Sequence, residues 1–281
     1  MKMKIERFET LRFTNKYMFA TVLKEDPELC KEIIEAILDV KIREIIRTNS
    51  EETIETSSTG HGVRLDVYLE GDDAIYDIEM QTADTKNLPK RSRYYQGILD
   101  TDYLDQGSDY NSLKKTYVIF ICTFDLFGKD LCKYTFRNYC DEDKSLGLND
   151  DSVKVFVNTN GRLESASPEL VEFLRYVKDE EVTGDLTKKL DGRVRNTRRN
   201  ERRRAEYMTW EWELEYAKRE AAEKARTQGL EEGRAEGRAE GRAEGRAVER
   251  SNIIKMMLNS LTPTEIVNLG FSAEEVEAAK K

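Results

Sequence analysis

Val63-Arg64-Leu65-Asp66-Val67-Tyr68-Leu69-Glu70-Gly71-Asp72-Asp73-Ala74-Ile75-Tyr76-Asp77-Ile78-Glu79-Met80-Gln81 is the stretch that decides the fold. Apolar and polar residues alternate along 63–69 and again along 76–81, and Gly71-Asp72 between them is turn chemistry, so the segment predicts a β-hairpin. A turn centred on Gly71-Asp72 sets Asp66 opposite Asp77 and Arg64 opposite Glu79 on one face. Leu65, Val67, Ile78 and Met80 then point into the core. Asp66 and Glu79 become diagonal neighbours roughly 7–8 Å apart, a separation from which two carboxylates converge on one hard cation. Like charges on adjacent strands repel, so a bound Mg²⁺ or Mn²⁺, with Arg64 nearby, offsets the crowding. Asp77 either lies just behind that site or pairs with a base such as Arg64.

Outward from the hairpin, the pattern is α/β. Asp26-Pro27-Glu28 is an N-cap followed by a first-turn proline, and Ile33, Ile34, Ile37 and Leu38 recur at helical spacing to about Asp39. Residues 41–48 and 52–56 alternate weakly as two strands. Leu88-Pro89 opens a helix to about Leu104, and Tyr117-Val118-Ile119-Phe120-Ile121-Cys122 is the continuous apolar run of a strand covered on both faces. Further strands are expected near 133–138 and 153–157, and Ser167-Pro168-Glu169 caps a helix through Tyr176. The order predicts an α/β core with a mixed central sheet flanked by helices, ending near residue 190.

The 281 residues are 38% hydrophobic and 36% charged, with a net charge of −9, so any nucleic-acid surface has to be local. Neither a signal peptide nor an apolar run of membrane-spanning length is legible, which predicts a cytoplasmic protein with no membrane partner. Cys30, Cys122, Cys132 and Cys140 lack Cys-x-x-Cys spacing and read as reduced thiols. A single histidine, His61, in the loop Ser57-Ser58-Thr59-Gly60-His61-Gly62, excludes zincin-type and multi-histidine hydrolytic sites. That histidine reads as solvated loop.

The composition changes near 191. Residues 191–228 read as an arginine-rich long helix, and Arg195, Arg198, Arg199, Arg202 and Arg203 form either a phosphate-contacting patch for DNA or a solvated face partly paired with nearby acids. Residues 229–247 hold four copies of Glu-Gly-Arg-Ala. Within the four copies, 232–247, Glu and Arg never fall three or four apart, so intrahelical ion pairs cannot support the array, and each glycine costs about 1 kcal/mol relative to alanine. Its glycine and alanine stripes, flanked by opposite charges, suit close docking on a second helix, which predicts a homo-oligomer, a dimer, through the tail. Residues 248–281 form a small helical module with two capping boxes, Thr262-Pro263-Thr264-Glu265 and Ser272-Ala273-Glu274-Glu275.

Asp66…Glu79-Met80-Gln81 with its hairpin and flanking helices resembles the PD-(D/E)XK nuclease superfamily. More narrowly, Arg64-Leu65-Asp66-Val67-Tyr68, Ile78-Glu79-Met80-Gln81, Arg91-Ser92-Arg93-Tyr94-Tyr95-Gln96, Gly107-Ser108-Asp109-Tyr110, Phe124-Asp125-Leu126-Phe127-Gly128 and the Glu-Gly-Arg repeats resemble the Rpn-type recombination-promoting nuclease and transposase family. The resemblance implies a restriction-endonuclease-like αβββαβ core over 1–190 and phosphodiester hydrolysis of DNA by a metal-activated water, in recombination or mobile-element biology. It implies Asp66 and Glu79 as ligands of Mg²⁺ or Mn²⁺, and Gln81 as the water-orienting residue in place of the superfamily lysine. Arg93, Tyr95 and Gln96, on the following helix, are candidates for facing the scissile phosphate, or else a polar helix surface. Lys16 stands where the resemblance leads one to expect an acidic residue. The rival is a catalytically degenerate DNA- or partner-binding protein assembled through its helical tail.

Overall fold

Capping chemistry opens the helices where the sequence places it. In a computed structural model, which describes residues 6–54 and 63–280 (backbone alone at 49–54 and 63–64), Asn15 Oδ1 accepts from the N–H groups of Tyr17 and Met18 and starts α1 (Lys16–Glu25). Asp26 accepts from Leu29 and starts α2 (Pro27–Leu38). The alternating segments follow as β1 (Ile45–Ile54), β2 (Val63–Gly71) and β3 (Ala74–Gln81), then α3 (Leu88–Tyr103), β4 (Lys115–Cys122), β5 (Lys133–Phe136) and β6 (Ser152–Asn158). Helices α4 (Pro168–Asp179), α5 (Asp185–Arg198), α6 (Glu201–Met257), α7 (Pro263–Asn268) and α8 (Ala273–Ala279) complete the chain. Of residues 41–48 and 52–56, expected as two strands, 45–48 and 52–54 belong to the single strand β1, whose pairing to β2 passes a register shift between Ile45 and Arg47, and 55–56 lie outside the described residues. His61 lies outside the described residues.

The strands order as β1-β2-β3-β4-β6-β5, with β3–β4 and β4–β6 parallel and the remaining pairs antiparallel. This is the mixed, helix-flanked sheet of a restriction-endonuclease-like core, followed by a long helix. The chain divides into two compact units, Met1–Trp210 and Glu211–Lys281. In the first, α1, α2, α4 and α5 cover one sheet face, packing on Val67, Leu69, Ile78, Met80, Ile119 and Val155. Helix α3 covers the other, over Tyr68, Ile75, Val118, Phe120 and Phe156. Each such side chain, fully buried, contributes roughly 1.5–3 kcal/mol relative to exposure. Asp77, Glu79 and Gln81 share the α3 face with Ile75, since alternate residues of a strand point the same way. Leu65 was expected beside Val67 but joins the cluster under α3, so the alternation slips at Asp66.

Where the sequence suggests one arginine-rich helix over 191–228, the structure has two. Helix α5 ends at Arg198, and Asn200 Oδ1 accepts from the N–H groups of Arg202 and Arg203, restarting the chain as α6. Val194 and Tyr207 join the main core, which therefore extends past the expected boundary at 190. In the second unit Ile254, Ile266, Val276 and Ala279 form a small core, with Arg250 bidentate to Glu275 at 2.7 and 3.0 Å. The Glu-Gly-Arg-Ala array is exposed helix, and no ion pair forms within it among the described residues.

Candidate active site

Where β2 and β3 part, side chains take over from the main-chain ladder. Their pairing runs from Glu70↔Ile75 to Val67↔Ile78. Beyond it the Asp66 N–H donates to Glu79 Oε1 at 2.9 Å and the Met80 N–H donates to Asp66 Oδ2 at 3.1 Å. Each carboxylate thus holds the backbone of the opposite strand, and the two face each other directly. This corrects the register expected from the sequence. The turn is Asp72-Asp73, not Gly71-Asp72, so Asp77 faces Tyr68 rather than Asp66, and Arg64 pairs with Thr53 of β1 rather than facing Glu79.

Two cations meet this pair. Arg91, in the first turn of α3, donates to Glu79 Oε2 at 2.8 Å and to Gln81 Oε1 at 3.2 Å. Its guanidinium carbon lies 5.2 Å from the Tyr95 ring centre and 4.9 Å from that of Phe120. Lys16 Nζ, from the start of α1 in the opposite layer, lies 3.5 Å from Asp66 Oδ1. Gln81 Nε2 donates to the Ala83 carbonyl at 2.6 Å, so contacts at both ends fix the amide. Burial pushes the Glu79 carboxyl up to about 8, with Asp66 adding to the rise and Arg91 opposing it. Burial also raises Asp66, against the charge of Lys16. Asp77 is fully buried with no hydrogen-bond partner on either oxygen among the described residues, and burial, then Glu79 and Asp66, hold it well above the usual carboxylate range.

A family model described as PD-(D/E)XK nuclease family transposase matches residues 11–156, more than half of the 281. The chain belongs to the PD-(D/E)XK nuclease transposase family. Comparison with curated proteins and with solved structures gives no match. The matched segment carries α1, the hairpin, α3 and the strands through Phe156 of β6, so Lys16, Asp66, Glu79, Gln81 and Arg91 all belong to the PD-(D/E)XK part, and the function is of the nuclease type.

In this PD-(D/E)XK site the donor set suits a hard cation. Asp66 and Glu79 offer carboxylate oxygens from facing strands, and among the described residues no three His, Cys, Asp or Glu side chains gather into a larger cluster. One or two carboxylates with water and substrate phosphate are the usual holding of Mg²⁺. Asp77, fully buried two residues before Glu79 on β3, forms no such cluster with them among the described residues.

The other sequence candidates fall differently. Tyr95 supports Arg91. Gln96 turns inward to donate to Asp100 at 3.2 Å, whereas Arg93 is exposed. The Arg64 side chain lies outside the description. Arg195 pairs with Asp191, Arg198 with Glu180, Arg202 with Glu206, and Arg203 with Glu25 and Glu206, while Arg199 is exposed at the end of α5. None of them contacts Asp66 or Glu79.

Sequence reasoning missed Arg91 as a site residue, although it lies within a motif quoted for the family resemblance. The available signal was a buried Glu79 needing a counter-charge, and an arginine ten residues beyond Gln81 at the start of a helix. Arg91→Met is expected to lower stability at neutral pH by about 1.5 kcal/mol. That is below the usual penalty of about 3–5 kcal/mol for breaking a buried pair, because Glu79, its carboxyl pushed up to about 8, already holds a proton for most of the time at neutral pH. The check is a lower urea midpoint at unchanged slope.

Proposed function

We propose that this chain is a Mg²⁺- or Mn²⁺-dependent DNA endonuclease of the Rpn type, cytoplasmic, acting in DNA recombination or mobile-element biology. The reading rests on the Asp66–Glu79 pair, locked by reciprocal hydrogen bonds to the opposite strands' backbone in a chain of a nuclease family. Asp66 and Glu79 hold the cation, which when bound lowers the pKa of the attacking water and offsets charge growing on phosphate. Gln81, fixed by Arg91 and the Ala83 carbonyl, keeps its remaining amide N–H to orient that water. Arg91 holds Glu79 in place. No helix among the described residues is long and apolar enough to cross a membrane.

One observation favours the rival reading, a degenerate DNA- or partner-binding protein: both Glu79 oxygens are already engaged, by the Asp66 N–H and by Arg91. Incubation with supercoiled plasmid, with and without Mg²⁺, separates the two, since the enzyme converts it to nicked or linear forms only with the ion and the binder leaves it intact. We further propose that α6 pairs two copies of the chain through its Glu-Gly-Arg-Ala stripes, where a Cβ built on Gly233, Gly237, Gly241 or Gly245 meets nothing within 4 Å. Deleting 229–247 is expected to convert a dimer to a monomer in analytical ultracentrifugation. An unchanged sedimentation coefficient ratio would make the array a spacer.

A further inference from the structure

The two cations at the carboxylate pair are not equivalent. The Arg91 side chain is 22% exposed, held between two aromatic rings, and bound to Glu79, itself 1% exposed. It has no room to leave. The Lys16 side chain is 49% exposed and rests on Asp66, the more open carboxylate at 12%. Of the two cations, Lys16 is therefore the one open to a group reaching the pair from solvent.

Its mount is stiff. Lys16 is the first residue of α1, behind the Asn15 cap, and Met18, Phe19 and Leu23 of that helix are fully buried. Tyr17 adds a hydrogen bond from its hydroxyl to the Arg203 carbonyl at 2.9 Å. A lysine at a helix start also opposes the positive end of the helix dipole, and no acidic residue in the first turn compensates. A position that breaks a local rule is where function is to be sought. The Asp…Glu-x-Gln arrangement, meanwhile, has an amide at Gln81 where an ammonium would hold phosphate charge.

We propose that Lys16 supplies that ammonium from α1 and contacts the non-bridging oxygens of the scissile phosphodiester. The inference rests on the nuclease reading above. In the hydrolysis the water oxygen bonds phosphorus and the bond from phosphorus to the leaving sugar oxygen breaks. The water gives up a proton to solvent and the leaving oxygen takes one up. The ammonium keeps its protons throughout and balances the charge spread over phosphate. Before substrate arrives it rests on Asp66, in competition with a divalent cation.

That competition gives two readouts that move in opposite directions. Lys16→Met is expected to cut supercoiled plasmid roughly 10²-fold more slowly while binding Mn²⁺ about threefold more tightly in calorimetry; Lys16→Arg is expected to keep cutting within about tenfold of wild type. A wild-type protein that never cuts with Mg²⁺ overturns the nuclease reading and this inference together. Wild type that cuts while Lys16→Met cuts equally fast overturns this inference alone. So does a Lys16→Met protein that loses cutting and Mn²⁺ affinity together, since Lys16 would then merely support Asp66.

Discussion

Asp66→Asn is expected to slow Mg²⁺-dependent nicking of supercoiled plasmid by roughly 10³-fold or more, a loss of about 4 kcal/mol of transition-state stabilisation. It should also abolish Mn²⁺ binding in calorimetry. The substitution is nearly isosteric, and its amide oxygen still accepts from the Met80 N–H, as Asp66 Oδ2 does at 3.1 Å. What disappears is one hard, charged oxygen donor, together with the contact of Oδ1 with the half-exposed Lys16 ammonium, a pair worth little to stability. Fold stability in metal-free buffer should not fall, because Asp66 is among the neighbours that hold Glu79 and Asp77 above their ordinary ranges, and neutralising it relieves them. Glu79→Gln should abolish cutting too, yet it is the poorer probe. Its amide N–H groups would face Arg91, which now donates to Glu79 Oε2 at 2.8 Å, so the variant should also melt earlier. Cutting by Asp66→Asn within tenfold of wild type would remove the basis for the proposed site.

The sheet was legible because its strands alternate or run apolar, and because Asp26, Ser167, Thr262 and Ser272 each cap a helix in the structure. The hairpin register was not. A slip of one residue turns every side chain to the opposite face, but the difference between a turn at Gly71-Asp72 and one at Asp72-Asp73 preserves every face, so hydrophobic alternation cannot tell them apart. Gly71 instead pairs with Ile45 of β1, a constraint invisible to the hairpin considered alone. The phase of α3 was lost for a related reason. Its buried side includes Ser92 and Gln96, polar residues that pattern reading assigns to solvent. Lys16 belongs to a helix 50 residues from Asp66 in sequence, and only the packing of α1 against β1 and β2 brings them together. The carboxylates were found from local spacing, whereas the cations that balance them came from tertiary contacts.

Asp77→Asn is expected to stabilise the metal-free protein, by an amount that grows with pH. Asp77 is fully buried, neither of its oxygens has a hydrogen-bond partner among the described residues, and its folded-state pKa lies well above the ordinary value. In the unfolded chain it ionises near about 3.9. Below that pH both states hold the proton and the group has no effect on the balance. As pH rises from about 4 toward the folded value, only the unfolded state ionises, so each pH unit costs the fold about 1.4 kcal/mol. Asparagine removes the ionisation, and the unpaired amide hydrogens it buries return about 1 kcal/mol of that gain. The net expectation is a Tm in EDTA that rises further above that of wild type with each step from pH 4 to pH 7, with no gain, or a slight loss, at pH 4 itself. The mutant should still lose stability between about pH 4.5 and about pH 8, because Glu79 titrates in the same sense up to about 8. Thermal melts across pH 4–8 decide it. A Tm difference that stays constant over that range would mean that Asp77 does not sit in the fold as an unpaired carboxyl, and the account of a carboxylate pair crowded from behind would fail with it.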